Sequence, residues 1–153
     1  MRISDVMTEA AVTDRPDDSV ASAARKMREQ QTGSLLVTDG EQLVGIITER
    51  DVLRVVAEDV PLDTPISEVM SKDLVTAEPG TSLREAARIM TERWIRHLPV
   101  LEGGRLVGIV SQRDLAGVLA GALNEPEELH RLVEASELVR ERRLKRIEAG
   151  DLD

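Results

Sequence analysis

The sequence predicts a mixed α/β (α+β) protein made of two pseudo-symmetric β-α-β-β-α units packed side by side, followed by a C-terminal helix. Three observations carry this prediction. Residues 3–57 laid on 66–120 give about two dozen identities in 55 positions without an insertion. Each copy holds one segment with apolar residues at helical spacing and two β-branched runs around a Gly turn. Beyond the second copy, residues 125–148 begin with acids and end with bases, as a helix dipole favours. A repeat of this length is a supersecondary unit that buries its apolar face against its copy.

Each copy opens on a short apolar turn, Ile3–Met7 (ISDVM) and Ile66–Met70 (ISEVM), and reaches a brief extended stretch at Val12-Thr13 or Val75-Thr76. Pro16 and Pro79 break the chain, after which Ser19 and Ser82 are placed to cap a helix. Val20, Ala23, Ala24 and Met27 recur at i, i+3, i+4 and i+7, one stripe of a 3.6-residue period. Leu83, Ala86, Ala87 and Met90 repeat that stripe, and Ser82 with Glu85 forms a capping-box pattern. Strands are expected at Leu35–Thr38 and Leu43–Thr48, then at Leu98–Leu101 and Leu106–Val110. Each pair is joined by a turn at Gly40 or Gly103-Gly104, which reads as a hairpin. A second helix begins at Thr48 or Ser111. The expected division is therefore repeat one over 1–59, a linker over 60–65, repeat two over 66–122 and a helical extension over 123–153.

Composition removes several classes of function. The chain has no Cys, so a disulfide frame, a thiolate metal site and a cysteine nucleophile are excluded. A net charge of −9 and a single aromatic residue, Trp94, argue against nucleic acid, which needs basic excess and stacking platforms. No apolar run approaches the ~20 residues of a membrane helix, and the N-terminus has no signal-peptide pattern. A cytoplasmic protein without a membrane partner or metal is the expectation. No nucleophile–base pair stands at recognisable spacing, so an enzyme is not expected.

The chemistry-bearing segments are the strand–helix junctions Gly45–Asp51 (GIITERD) and Gly108–Asp114 (GIVSQRD). A hydroxyl followed three residues later by an acid is a helix cap, so Thr48 with Asp51 and Ser111 with Asp114 have a purely structural explanation. The same residues have a second one. A helix N-terminus offers N–H groups to an anion, and Arg50 or Arg113 adds a fork for phosphate oxygens. The carboxylate would repel a phosphate but suits hydroxyl donors such as a ribose diol. Hydroxyl, arginine and aspartate together match a nucleotide's sugar and phosphate, and the pattern occurs twice in one frame.

These segments, with the Val-Thr stretch followed by Pro and with Arg96–Val100 (RHLPV), resemble the cystathionine-β-synthase (CBS) domain, and the tandem resembles a paired CBS, or Bateman, module. The resemblance covers about residues 1–122. It implies a non-catalytic regulatory module that binds an adenosine-containing ligand (AMP, ADP, ATP or S-adenosylmethionine) in clefts between the repeats. It implies a homodimer that signals ligand level to a regulated protein. By resemblance, Asp51 and Asp114 hold ribose, and Thr48 and Ser111 contact ribose or phosphate. Residues around Thr13, Thr76, Ser34 and His97 line the base or phosphates. Arg93, Arg96, His97 and Arg113 give the second copy more positive charge than the first, so the Asp114 cleft is expected to favour phosphorylated ligands. The competing expectation is a structural or oligomerisation module with unoccupied clefts.

Overall fold

In the computed structural model of the protein, residues 1–9, 12–122 and 140–149 are described. The chain divides into two compact units, Met1–Leu115 and Ala116–Asp153. In the first, the helical stripe after Ser19 forms α1 (Val20–Gln30), with Ser19 Oγ accepting from the Ser22 N–H at 3.1 Å. Gln31, in the left-handed conformation, stops the helix and turns the chain into β2 (Ser34–Asp39). β2 lies between β1 (Thr13–Asp14), to which it is parallel, and β3 (Gln42–Thr48), its hairpin partner. Thr48 then caps α2 (Glu49–Ala57).

The second repeat runs through α3 (Leu83–Arg93), β4 (His97–Glu102), β5 (Arg105–Ser111) and α4 (Gln112–Ala122). β4 and β5 pair in the register that β2 and β3 use, with the same irregularity two residue pairs before the turn. Ser82 caps α3, but the expected capping box is only half formed: Glu85 turns its carboxylate to Arg88 on the next turn. An exposed arginine one turn away outcompetes the backbone for that carboxylate.

The expected strand at Val75-Thr76 is also absent. A single parallel bridge, Ala77 to Val100, stands where repeat one has a two-residue strand. The reason is Pro99. Its counterpart Leu36 donates its N–H to the Val12 carbonyl at 3.3 Å, and proline has no N–H to donate to Val75.

The cores cross over. Val20, Ala23, Met27, Leu35, Val37, Ile47 and Val55 of repeat one enclose Ile66, with Val69 and Met70 packed at the margin. Ala86, Met90, Leu98, Val100 and Val110 of repeat two enclose Ile3, with Val6 and Met7 beside it. Backbone bonds fix the exchange. The Ile66 N–H donates to Asp18 O at 2.8 Å, and the Ile3 N–H donates to Thr81 O at 2.8 Å. Thr8 and Ile109 trade both of their hydrogen bonds, at 2.9 and 3.1 Å, as do Ser71 and Ile46 at 2.9 and 3.0 Å. Each lead-in segment thus belongs to one repeat in sequence and to the other in space. Gly108 permits one crossing, because a Cβ there would lie 2.7 Å from the Thr8 carbonyl oxygen; Gly45 receives the Met70 side chain in the same way. Fully burying a side chain the size of Ile3 or Ile66 contributes roughly 1.5–3 kcal/mol, so each arm is a sizeable part of the core it enters.

Of the second unit, residues 116–122 complete α4, and residues 140–149 are helical. Most of the helix expected over 125–148 lies outside the described residues.

Candidate ligand-binding site

A cleft of about 530 Å³ opens between the repeats within the first unit. Repeat one supplies Thr8, Val12, Gln30 to Ser34 and Glu49; repeat two supplies Arg96, His97, Ile109 and Ser111 to Asp114. The hairpins place these groups. His97 is the register partner of Ser111, as Ser34 is of Thr48, so the first residue of each leading strand sits beside a helix cap. The chain before each leading strand is tied to the helix start. The Glu49 N–H donates to Gly33 O at 3.0 Å, and the Gln112 N–H donates to Arg96 O at 2.9 Å.

Six of the eleven residues expected to bind line this cleft: Ser34, Arg96, His97, Ser111, Arg113 and Asp114. The other five do not. Thr13 is exposed on β1 while its neighbour Val12 takes the cleft side, since adjacent strand residues face opposite ways. Thr76 is exposed before the Ala77 bridge. Thr48, Arg50 and Asp51 stand at the other junction, outside this lining, and Arg93 is outside it too. Nothing in the motifs singles out Thr8 and Glu49. Thr8 arrives only through the crossover. Glu49 could have been noticed as the acid that faces Gln112 at the 63-residue offset.

Ser111 and Asp114 form a reciprocal cap. The Ser111 N–H and Oγ both donate to Asp114 Oδ2, each at 2.7 Å, and the Asp114 N–H donates back to Ser111 Oγ at 3.2 Å. Asp114 Oδ1 has no hydrogen-bond partner among the described residues, and the half-buried Asp114 lines the cleft. Ser34 is 4% exposed, and its Oγ likewise has no partner there. A buried hydroxyl left unmade costs about 1–3 kcal/mol, so such a group in a cleft wall marks a place where a polar ligand is welcome.

Charge in the cleft is balanced, with Arg96 and Arg113 against Glu49 and Asp114. Burial, helped by the neighbouring Arg96, holds the His97 imidazole below its ordinary value, while Glu49 and Asp114 pull the other way. Although Ser111, His97 and Asp114 share the cleft, the Ser111 hydroxyl gives its proton to Asp114 and makes no bond to His97, so they do not form a nucleophile–base pair. Among the described residues no cluster of His, Asp and Glu is set to hold a metal ion, and no helix is long and apolar enough to cross a membrane.

Two repeats, each with a hairpin and a capped strand–helix junction, enclose one cleft to which the second junction contributes. The chain belongs to the CBS domain family, whose model matches residues 3–58 and 66–121, two domains in tandem. It is 38% identical over 115 residues to the CBS domain-containing protein YhcV of Bacillus subtilis (strain 168), covering 74% of this chain and 82% of that protein. The crystal structure of the CBS domain pair of MJ0100, in complex with 5'-methylthioadenosine and S-adenosyl-L-methionine, aligns with a TM-score of 0.75 and 26% identity. The alignment covers 80% of this chain and 98% of that one. The structure of CBSX2 in complex with AMP aligns with a TM-score of 0.71 and 25% identity, over 79% and 97% of the two chains.

Proposed function

We propose that this chain is a non-catalytic regulatory module that binds an adenosine-containing ligand in the Asp114 cleft and passes ligand level to a partner protein. The single observation that carries the reading is the carboxylate of Asp114. One oxygen is committed to the Ser111 cap, the other has no hydrogen-bond partner among the described residues, and Asp114 lines the cleft. That oxygen would accept from ribose hydroxyls, and Arg96 and Arg113 would take a phosphate or carboxylate. Val12 and Ile109 would wall the base, and the Ser34 hydroxyl would gain the partner it lacks. The adenosyl ligands bound by MJ0100 and CBSX2 support this class of ligand. A ligand that prefers one arrangement of the crossed repeats would shift the population toward it, and that shift is the signal.

The module is proposed to work as a cytoplasmic homodimer. Leu53 and Val56 are 68% and 58% exposed on α2, and Leu119, 63 residues after Val56, is 45% exposed. A second copy is the natural cover for an apolar position left open in both repeats. The test is isothermal titration of ligand-stripped protein with AMP, S-adenosylmethionine and 5'-methylthioadenosine. Asp114→Asn is expected to weaken the best ligand at least tenfold. If wild-type protein binds none of the three, the oligomerisation reading stands instead.

A further inference from the structure

A second cavity, of about 470 Å³, adjoins the Asp114 cleft within the first unit, and Glu49 and Arg113 line both. Ala24, Met27 and Val52 give it an apolar wall, and Arg28 adds a cation. Glu49 sets its character. An acid in the first turn of a helix is favoured by the dipole, but the frame does not require one here, because the 63-residue offset puts Gln112 at the same place on α4. The two side chains end differently. Gln112 Nε2 donates to the Ile95 carbonyl oxygen at 3.3 Å. A carboxylate has no proton to give the matching carbonyl of Thr32, and the Glu49 side chain makes no hydrogen bond or ion pair among the described residues. Both of its oxygens lie 3.5 Å from where a Cβ on Gly33 would stand, and at that position repeat two carries Arg96. A cation at 33 would answer the carboxylate; glycine does not. Asp51, two residues on, is answered, with Arg54 Nη2 at 3.3 Å from its Oδ1. The guanidinium groups of Arg28 and Arg113 are also without a hydrogen bond or ion pair among the described residues.

We infer that this second cavity receives the 5' substituent of the adenosyl ligand, and that Glu49 selects a substituent of the amino-acid class, cationic at one group and anionic at another, over a phosphate. This rests on the reading of Asp114 given above. With the ribose on Asp114, a substituent long enough to leave the cleft passes Glu49 and Arg113, the charged residues that line both spaces. An ammonium group meets Glu49, a carboxylate meets Arg113 or Arg28, and the methylenes between them lie on Met27 and Val52. A phosphate satisfies the arginines but sits beside an unpaired carboxylate, and a repulsive element of that kind is how a site rejects the wrong partner. Glu49 and Arg113 are both exposed, so each charge acts through water and discriminates by a modest factor.

The test is titration calorimetry of the ligand-stripped full chain with S-adenosylhomocysteine, 5'-methylthioadenosine and AMP. The first two share adenosine and thioether and differ in the amino-acid end. Wild type is expected to bind S-adenosylhomocysteine at least about tenfold tighter than either of the others, from its extra methylenes and its two charged groups. Glu49→Gln installs the residue that repeat two carries at this helix start, so the fold is expected to hold. It should weaken S-adenosylhomocysteine about three- to fivefold, the worth of one exposed ion pair, strengthen AMP, and leave 5'-methylthioadenosine unchanged. Arg28→Gln should weaken S-adenosylhomocysteine and leave 5'-methylthioadenosine unchanged. The inference is overturned by equal binding of the two thioethers, by AMP as the tightest of the three, by a Glu49→Gln that lowers all three alike, or by an Arg28→Gln that binds as wild type does. Failure of the underlying reading looks different: Asp114→Asn then leaves 5'-methylthioadenosine binding unchanged, whereas failure of the inference alone leaves that loss in place. No binding of any of the three by wild type overturns both.

Discussion

Asp51 and Asp114 accept the same cap from the residue three positions before them, and one neighbouring arginine makes their remaining oxygens unequal. His97 shows a similar economy of means. Burial and Arg96 depress its pKa, so the folded protein favours the neutral ring. The sign follows: its contribution to stability is present above the unfolded value of about 6.5 and is lost as pH falls through the lower folded value. A bound phosphate opposes that shift by favouring the cation. The affinity of wild type for AMP, divided by that of His97→Gln, is therefore expected to rise about three- to tenfold between pH 7.5 and 5.5, since each unit of pKa restored is worth up to a decade. Using the ratio cancels the ionisation of AMP itself. Titration calorimetry at four pH values checks it, and a flat ratio would remove His97 from phosphate contact.

At the scale of elements, Pro99 decides how much strand repeat two has. Pro99→Leu installs the residue of repeat one and restores an N–H opposite the Val75 carbonyl, the bond that Leu36 makes to Val12. The new bond is worth about 0.5–1.5 kcal/mol, and losing proline costs about 0.4–1 kcal/mol through the unfolded chain. Global stability should hardly move. Hydrogen exchange should instead show a protected amide at position 99, and fast exchange there would mean the segment is held apart for another reason. The helices were easier to anticipate than the strand. Ser19, Ser82 and Thr48 cap where a hydroxyl before an apolar stripe says they should, because capping is settled within four residues. The missing strand depended on a proline 24 residues away in sequence from the carbonyl it fails to meet.

For the whole molecule, the crossover makes the repeats interdependent. Ile3 and Ile66 are both fully buried, each in the core of the other repeat. Ile3→Ala and Ile66→Ala are each expected to cost about 2–5 kcal/mol, read by urea unfolding as a single shared transition. A fragment of residues 66–122 alone should not fold, since its core lacks Ile3, Val6 and Met7. Independent unfolding of the two repeats, or a folded fragment, would show that the exchange is not required.

The duplicated frame, the helix caps, the hairpins and the paired Asp51 and Asp114 were all legible in the residues, because each follows from contacts within one repeat. Three things waited for the tertiary structure. The lead-in segments trade cores, which brings Thr8 to the cleft. Thr13 and Thr76 stay outside while Val12 enters. Arg54 bonds the second oxygen of Asp51, while the matching oxygen of Asp114 has no partner among the described residues. All three turn on contacts between residues far apart along the chain or on which side of the backbone a side chain leaves. Period and spacing say which residues share a face; only the packed fold decides what that face meets.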